Sequence, residues 1–219
     1  MLILGIDTAT PWESVSVVSG GVVLSERGVF LERDHCASLL RVLAEALSAS
    51  NVSLSDLEGI AVSVGPGSYT GLRVGLSTAK GLAYSAGKPL VGVSTLEAVA
   101  QVGFGVDRDT NLVCPMIDAR KGEVFAALFE RNGKGCERVT SDLLVDPRLL
   151  LLRTDIQEKG CLFLGDGVEV HRRVIESALG NKAKMLSGES LLSSGKAVAL
   201  LGEQKLSSGI HNEDRKSVV

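Results

Sequence analysis

The sequence predicts an α/β chain of two related halves, each with a mixed sheet opened by a three-stranded meander. Three observations carry this. Short apolar runs and amphipathic stretches follow one another as β-β-β-α-β-α-β-α over about the first 102 residues. Gly20-Gly21 separates two strand-like runs, which is a hairpin signal. The later residues read as a reduced form of the same order, β-β-β-α-β-α, without a fixed-period sequence repeat.

Taken in order, "LILGI" (2–6) is an apolar strand, "SVSVV" (14–18) alternates, and "VVLSERGVF" (22–30) completes the meander. In residues 34–50, Leu39, Leu40, Leu43 and Leu47 fall at helical spacing, with Asp34 as the expected cap. "GIAVSV" (59–64) is a buried strand and is followed by a helix over about 70–86. Gly87 and Pro89 end that helix as a left-handed cap and a following proline do. "LVGV" (90–93) is another strand, and Ser94-Thr95-Leu96-Glu97 is a capping box. Residues 102–111 read as a linker. "LVCPMID" (112–118), "GEVFAALFE" (122–130) and "CLFLG" (161–165) read as strands, and 168–179 and 190–206 as helices. The expected division is a first subdomain over 1–102, a second over 103–207, and a polar tail over 208–219.

The chain has 219 residues, 45% hydrophobic and 22% charged, which is ordinary globular usage. Its net charge of −3 excludes a general basic field, so a nucleic-acid contact has to be local or made through a partner. No run approaches the ~18 apolar residues of a membrane helix, and "MLILGID" lacks the basic start of a signal peptide. Cys36, Cys114, Cys136 and Cys161 are widely spaced, so they are expected reduced, in a cytoplasmic protein.

The stretch "SVGPGSYTGLRVGLSTAKGLA" (63–83) resembles a phosphate cradle without being a known one. Gly65 to Gly71 is one residue too long for a Walker A loop, and Leu72-Arg73 stands where Lys-Ser/Thr is needed. Thr70 occupies the third glycine position of the dinucleotide fingerprint. The nucleophile elbow fails too, because Gly67 and Ser68 are adjacent. A strand running into a helix start still attracts anions. Two readings stay open: an anion or nucleotide site with Asp7, Thr8, Gly65, Gly67 and Ser68, or a tight turn capped by Ser68 or Thr70. Asp7 likewise is either a metal–phosphate contact or a turn residue bonding its own backbone.

The helix after the loop carries Gly71, Gly75, Ala79 and Ala83 every four residues, a ridge of small side chains. Glycine costs a helix about 1 kcal/mol against alanine, so another backbone is expected to approach closely there. That backbone belongs either to this chain or to a second subunit. In the second reading the interface comprises Gly71, Leu72, Arg73, Gly75, Leu76, Ala79, Lys80 and Ala83. The three histidines, His35, His171 and His211, have no partner at metal-ligand spacing, so no metal or cofactor is expected. Asp118 and Asp166 end strands, the latter in a "GDG" turn.

Four stretches taken together resemble the bacterial TsaB (YeaZ) family: "GIDTAT" (5–10), "GPGSYTGLRVGLSTAKGLA" (65–83), "GVSTLEAVA" (92–100) and "IDARKGEVFAALF" (117–129). The likeness spans about the first 130 residues. It implies the actin-like ATPase (ASKHA, ribonuclease H-like) fold and a role in forming N6-threonylcarbamoyladenosine beside the anticodon of tRNAs. It further implies a non-catalytic paralogue of TsaD that forms a heterodimer with TsaD, acts with the ATPase TsaE, and touches tRNA only through the complex. A homodimer is expected when TsaD is absent. TsaD-type chains carry a His-x-x-x-His metal motif where this chain has Thr95 and Val99, and a Ser-Gly-Gly-His stretch where it has Ile117-Asp118-Ala119-Arg120. The P-x-Y-L-R-like ending usual in the family is absent from "KLSSGIHNEDRKSVV". An actin-like kinase or ATPase with its own Mg-ATP site is the competing reading. A peptidase is a remote third, because the metal ligands are missing.

Overall fold

The computed structural model describes residues 1–31, 35–132 and 135–209, and of 35–37 and 135 only the backbone. Asp34, the side chains of His35 and Cys36, His211 and most of the expected tail lie outside the described residues. The chain divides into two units, one of residues 1–98 together with 192 onward, the other of residues 99–191.

In the first unit, β1 (Leu2–Asp7), β2 (Trp12–Ser19) and β3 (Val22–Phe30) form the meander. Gly20 and Gly21 turn the second hairpin with φ of 55° and 78°, values that a two-residue turn requires. The helix α1 (His35–Ala49) leads to β4 (Gly59–Ser63), α2 (Tyr69–Ala86) and β5 (Leu90–Val93), and α3 (Thr95–Val106) begins in this unit and continues in the second. The strand order is β3-β2-β1-β4-β5, with β1, β4 and β5 mutually parallel. Helix α1 lays Leu39, Val42, Leu43 and Ala46 on the Leu4, Ile6, Val15 and Val17 face. Each such large side chain contributes about 1.5–3 kcal/mol on burial. Gly87 caps α2 with φ 67° and ψ 25°, and Glu97 N donates to Ser94 Oγ at the start of α3.

The second unit contains β6 (Leu112–Arg120), β7 (Glu123–Ala126), β8 (Phe129–Asn132), β9 (Gly135–Arg138), β10 (Leu143–Val145), α4 (Pro147–Leu150) and α5 (Thr154–Lys159). It continues through β11 (Cys161–Leu164), α6 (Asp166–Leu179) and β12 (Ala183–Met185). Its main path, β10-β7-β6-β11-β12, repeats the order of the first sheet strand for strand. The expected strand over 122–130 is interrupted for a local reason. Both β7 and β8 pair with β6 in one register, and the gap at Ala127-Leu128 lies opposite Cys114-Pro115. Proline has no N–H to give the ladder. The expected linker continues α3 to Val106, and Asp107 then ties the loop by accepting from Asp109 N, Thr110 N, Thr110 Oγ1 and Lys184 Nζ. The Lys184 and Thr110 bonds hold the Asp107 carboxyl down to about 2. Cys114 and Cys161 are free thiols, and burial pushes the Cys161 thiol up.

The last helix, α7 (Ser194–Ser207), differs from the sequence expectation in its allegiance. It belongs to the first unit and covers the face of its sheet opposite α1 and α2. Its inward residues are small because the backbones nearly touch. A Cβ at Gly5 would lie 2.3 Å from the Gly195 carbonyl oxygen and 2.5 Å from Ala199 N. A Cβ at Gly202 would lie 2.3 Å from the Ala61 Cβ. Gly5→Ala is therefore expected to destabilise the chain by about 1–3 kcal/mol. Gly81→Ala, at an α2 position with open space around it, is expected to stabilise by about 1 kcal/mol. Urea denaturation midpoints check both.

Candidate functional site

The loop between β4 and α2 is stapled to the end of β1. Gly65 adopts φ 111°, and its N–H donates to Thr95 Oγ1 at 3.1 Å while its carbonyl accepts from Thr95 N at 2.9 Å. Ser68 caps α2: its Oγ accepts from Gly71 N at 3.2 Å, and its own N–H donates to Ala9 O at 2.7 Å. Thr8 Oγ1 donates to Gly71 O at 2.7 Å. A Cβ would lie 2.4 Å from Ala9 O at Gly67, 2.0 Å from Thr8 O at Gly71, and 2.2 Å from Thr8 Oγ1 at Gly75.

The ridge is thus used inside the chain. Gly71, Gly75, Ala79 and Ala83 are all buried, the two alanines in the core beneath α2. This corrects the expectation that these four form a contact surface for a second subunit. The close backbone approach read from the glycines is real, but the approaching backbone is Thr8-Ala9 of the same chain. Of the expected interface, Arg73 is exposed, while Leu72, Leu76 and Lys80 are half-buried.

Asp7 and Thr8 are fully buried. Asp7 Oδ1 accepts from Ala9 N at 3.0 Å and from Ser63 Oγ at 2.6 Å, so the residue bonds its own turn and clamps the end of β4. Thr8 is committed to Gly71. Gly65, Gly67 and Ser68 are half-buried in the staple, with the contacts given above. Among the described residues no group of three or more His, Cys, Asp or Glu is placed to hold a metal ion.

Arg73, Leu76 and Lys80 of the expected interface lie on a second face of α2, which also carries two tyrosines that the sequence analysis does not single out. Tyr69 and Tyr84 are 70% and 78% exposed, the largest exposures among the big apolar side chains of that helix. Tyr69, Arg73, Leu76, Lys80 and Tyr84 recur at i, i+4, i+7, i+11 and i+15, which is one helix face. The Arg73 guanidinium lies over the Tyr69 ring at 4.5 Å. The signal available in the sequence was two tyrosines off the buried stripe.

The matching position of the second unit is more open. Asp118 near the end of β6 and Asp166 at the start of α6 are joined, with Asp118 N donating to Asp166 Oδ1 at 3.2 Å. Asp118 Oδ1 accepts from Arg120 N at 2.8 Å, and its Oδ2 pairs with Arg120 Nη1 at 3.1 Å. Burial, with the Asp118 charge adding to it, pushes Asp166 up from 3.8 to about 6. A carboxyl raised in the folded state stabilises most below its unfolded value, and that stabilisation is lost as pH rises through about 6.

Two variants test this geometry. Gly75→Leu is expected to lose about 3 kcal/mol or more by driving a side chain into Thr8, measured by urea denaturation. Asp166→Asn is expected to raise stability at pH 7 by at most about 3 kcal/mol, with the gain vanishing below pH 3.8, measured by melting across pH.

Comparison with known proteins agrees with this architecture. Residues 19–219 match the family model described as "TsaD: tRNA N6-adenosine threonylcarbamoyltransferase". The tRNA threonylcarbamoyladenosine biosynthesis protein TsaB of Bacillus subtilis is 31% identical over 214 residues, covering 96% of this chain and 91% of that protein. The structure of YeaZ from Pseudomonas aeruginosa superposes with a TM-score of 0.83 at 23% identity, over 100% of this chain and 97% of that one. The ROK hexokinase of Thermus thermophilus shares the fold alone, with a TM-score of 0.50 at 12% identity over 93% and 100% of the two chains. The fold is thus the actin-like ATPase fold, in which two sheets of one strand order repeat. With a relative this similar aligned over nearly its whole length, the chain belongs to the TsaB (YeaZ) family.

Proposed function

We propose that the chain acts in tRNA N6-threonylcarbamoyladenosine formation as a non-catalytic partner that docks and activates a TsaD-type transferase, with TsaE joining the pair. The observation that carries this reading is the closed state of the first-unit site. Asp7 is fully buried and bonded to Ala9 and Ser63, and the loop that would face a nucleotide is held by Ala9 and Thr95. The name of the Bacillus subtilis relative supports the pathway. Loss of the His-x-x-x-His positions to Thr95 and Val99 supports a non-catalytic role; Thr95 spends its hydroxyl on Gly65 N.

The docking surface is the outer face of α2, with Leu72, Arg73, Leu76 and Lys80 flanked by Tyr69 and Tyr84. An exposed tyrosine beside a stacked arginine is the kind of side-chain pair that dominates interface energetics. The same face accounts for a homodimer when the transferase is absent. The setting is the cytoplasm, with tRNA bound through the complex. No helix of the described residues is long and apolar enough to cross a membrane.

Light scattering of the chain alone and mixed with TsaD from the same organism tests the proposal. A heterodimer that replaces any homodimer is expected. Arg73→Glu is expected to weaken pairing about tenfold or more while leaving the melting temperature unchanged. No association at any ratio, with or without TsaE and nucleotide, sinks the partner role. Saturable ATP binding and turnover by the isolated chain would then favour the kinase reading.

A further inference from the structure

The second unit carries a feature of its own, at the end of its sheet opposite Asp118 and Asp166. Leu112 opens β6, Cys161 opens β11 and Lys182 directly precedes β12, and these three strands run parallel. Their starting ends, the loop after α3 and the end of α5 line a cleft of about 460 Å³. Three ammonium groups converge on it, each pinned by the protein. Lys159 Nζ donates to Glu130 Oε1 at 2.7 Å, Lys182 Nζ to Gln157 O at 2.6 Å, and Lys184 Nζ to Asp107 Oδ2 at 2.7 Å. Lys184 Nζ also reaches Thr110 Oγ1 at 3.4 Å. An ammonium has three donors, so each of these lysines keeps at least one for a ligand. Lys182 forms no ion pair among the described residues.

The lining also carries the carboxylates of Asp109 and Glu130 and the side-chain amides of Asn111 and Asn181. Neither amide, nor the Asp109 carboxylate, has a hydrogen-bond partner among the described residues. This mixture decides the ligand class. The two carboxylates count against a bare anion. An apolar ligand finds little apart from Leu112 and Cys161. A ribose phosphate uses both signs: its phosphate oxygens accept from ammonium groups, and its hydroxyls donate to a carboxylate, as in dinucleotide sites. Side-chain amides offer a donor and an acceptor together, which matches a base edge. The volume lies in the range of pockets that hold ligands of nucleotide size.

We propose that this cleft binds the ribose-phosphate unit of a nucleotide, with Lys159, Lys182 and Lys184 on the phosphate and Asp109 on the ribose hydroxyls. The unit belongs either to a free nucleotide or to an RNA chain. The cleft shares no residue with the outer face of α2, so its test is independent of docking to a transferase.

The test is calorimetric titration of the full chain at low salt with AMP, inorganic phosphate, adenosine and 2′,3′-dideoxyadenosine monophosphate. AMP is expected to bind saturably, and each of the other three to bind about tenfold more weakly or worse. Lys182→Gln is expected to weaken AMP about tenfold or more at an unchanged melting temperature. If that variant fails to fold, Lys159→Gln carries the test. Addition of tRNA separates the two sources. Displacement of AMP by tRNA, or tRNA binding that Lys182→Gln abolishes where AMP alone does not bind, assigns the unit to RNA. AMP binding undisturbed by tRNA assigns it to a free nucleotide. Absence of binding by both AMP and tRNA overturns the proposal. Binding undiminished in Lys182→Gln and Lys159→Gln overturns it as well, because the nucleotide then sits elsewhere in the fold, and so does inorganic phosphate binding as tightly as AMP.

Discussion

The contact on which the first unit depends is the approach of the Thr8-Ala9 backbone to the first two turns of α2. Three glycines permit it, at positions where a Cβ would lie 2.0–2.4 Å from Thr8 or Ala9 oxygens. It fixes where α2 starts, because Ser68 N must reach Ala9 O, and how it is rotated, because Thr8 Oγ1 must reach Gly71 O. Once the small-residue stripe is turned inward, the tyrosines and Arg73 are turned outward. The second unit repeats the device in a looser form. Gly165 and Gly167 bring the start of α6 against the Met116 carbonyl oxygen, where added Cβ atoms would lie 2.1 and 2.9 Å away. In both halves a parallel strand ends beside a glycine loop that opens a helix.

Much of the first half is legible from sequence because its signals are local. Gly20-Gly21 needs positive φ, Ser68 needs an N–H within three residues, and Gly87 needs the left-handed region. The ridge on α2 was legible as a face but not as a contact. Periodicity shows which residues are small and aligned; it carries no record of which backbone they meet. The α7 helix is the same problem at larger separation. Its buried Gly195, Ala197, Ala199 and Gly202 give little periodic contrast, and only the sheet 190 residues earlier in the chain explains them, through contacts such as Gly5 to Gly195. In the second half the strands are three or four residues long apart from β6, too short for alternation to register. The break between β7 and β8 was nonetheless written in the sequence at Pro115, on the partner strand rather than the broken one.

The two halves share a strand order but treat their strand-end aspartates differently. Asp7 is sealed, with Ser63 and Ala9 on one oxygen and α7 closing the face of the sheet onto which it projects. Asp118 stays partly exposed, tied to Arg120 and adjoining an Asp166 whose carboxyl is held near 6. Asp7 commits Oδ1, and Asp118 both of its oxygens, to protein groups. In the first unit the loop backbone is engaged as well, with Gly65 N on Thr95 Oγ1 and Ser68 N on Ala9 O.

That commitment has a consequence for docking. A surface binds well when little freedom is lost on association, because ordering a mobile element takes free energy from the contact. Helix α2 is fixed at its start by Ser68, Gly71 and Thr8, along its length by Gly75, Ala79 and Ala83, and at its end by the Gly87 cap. Its outer face is accordingly presented in one orientation, with Arg73 already stacked on Tyr69 before a partner arrives. The packing that staples the loop between β4 and α2 to Thr8-Ala9 is the same packing that holds the helix in place. Both the stapled loop and the fixed helix follow from one set of glycines, Gly67, Gly71 and Gly75.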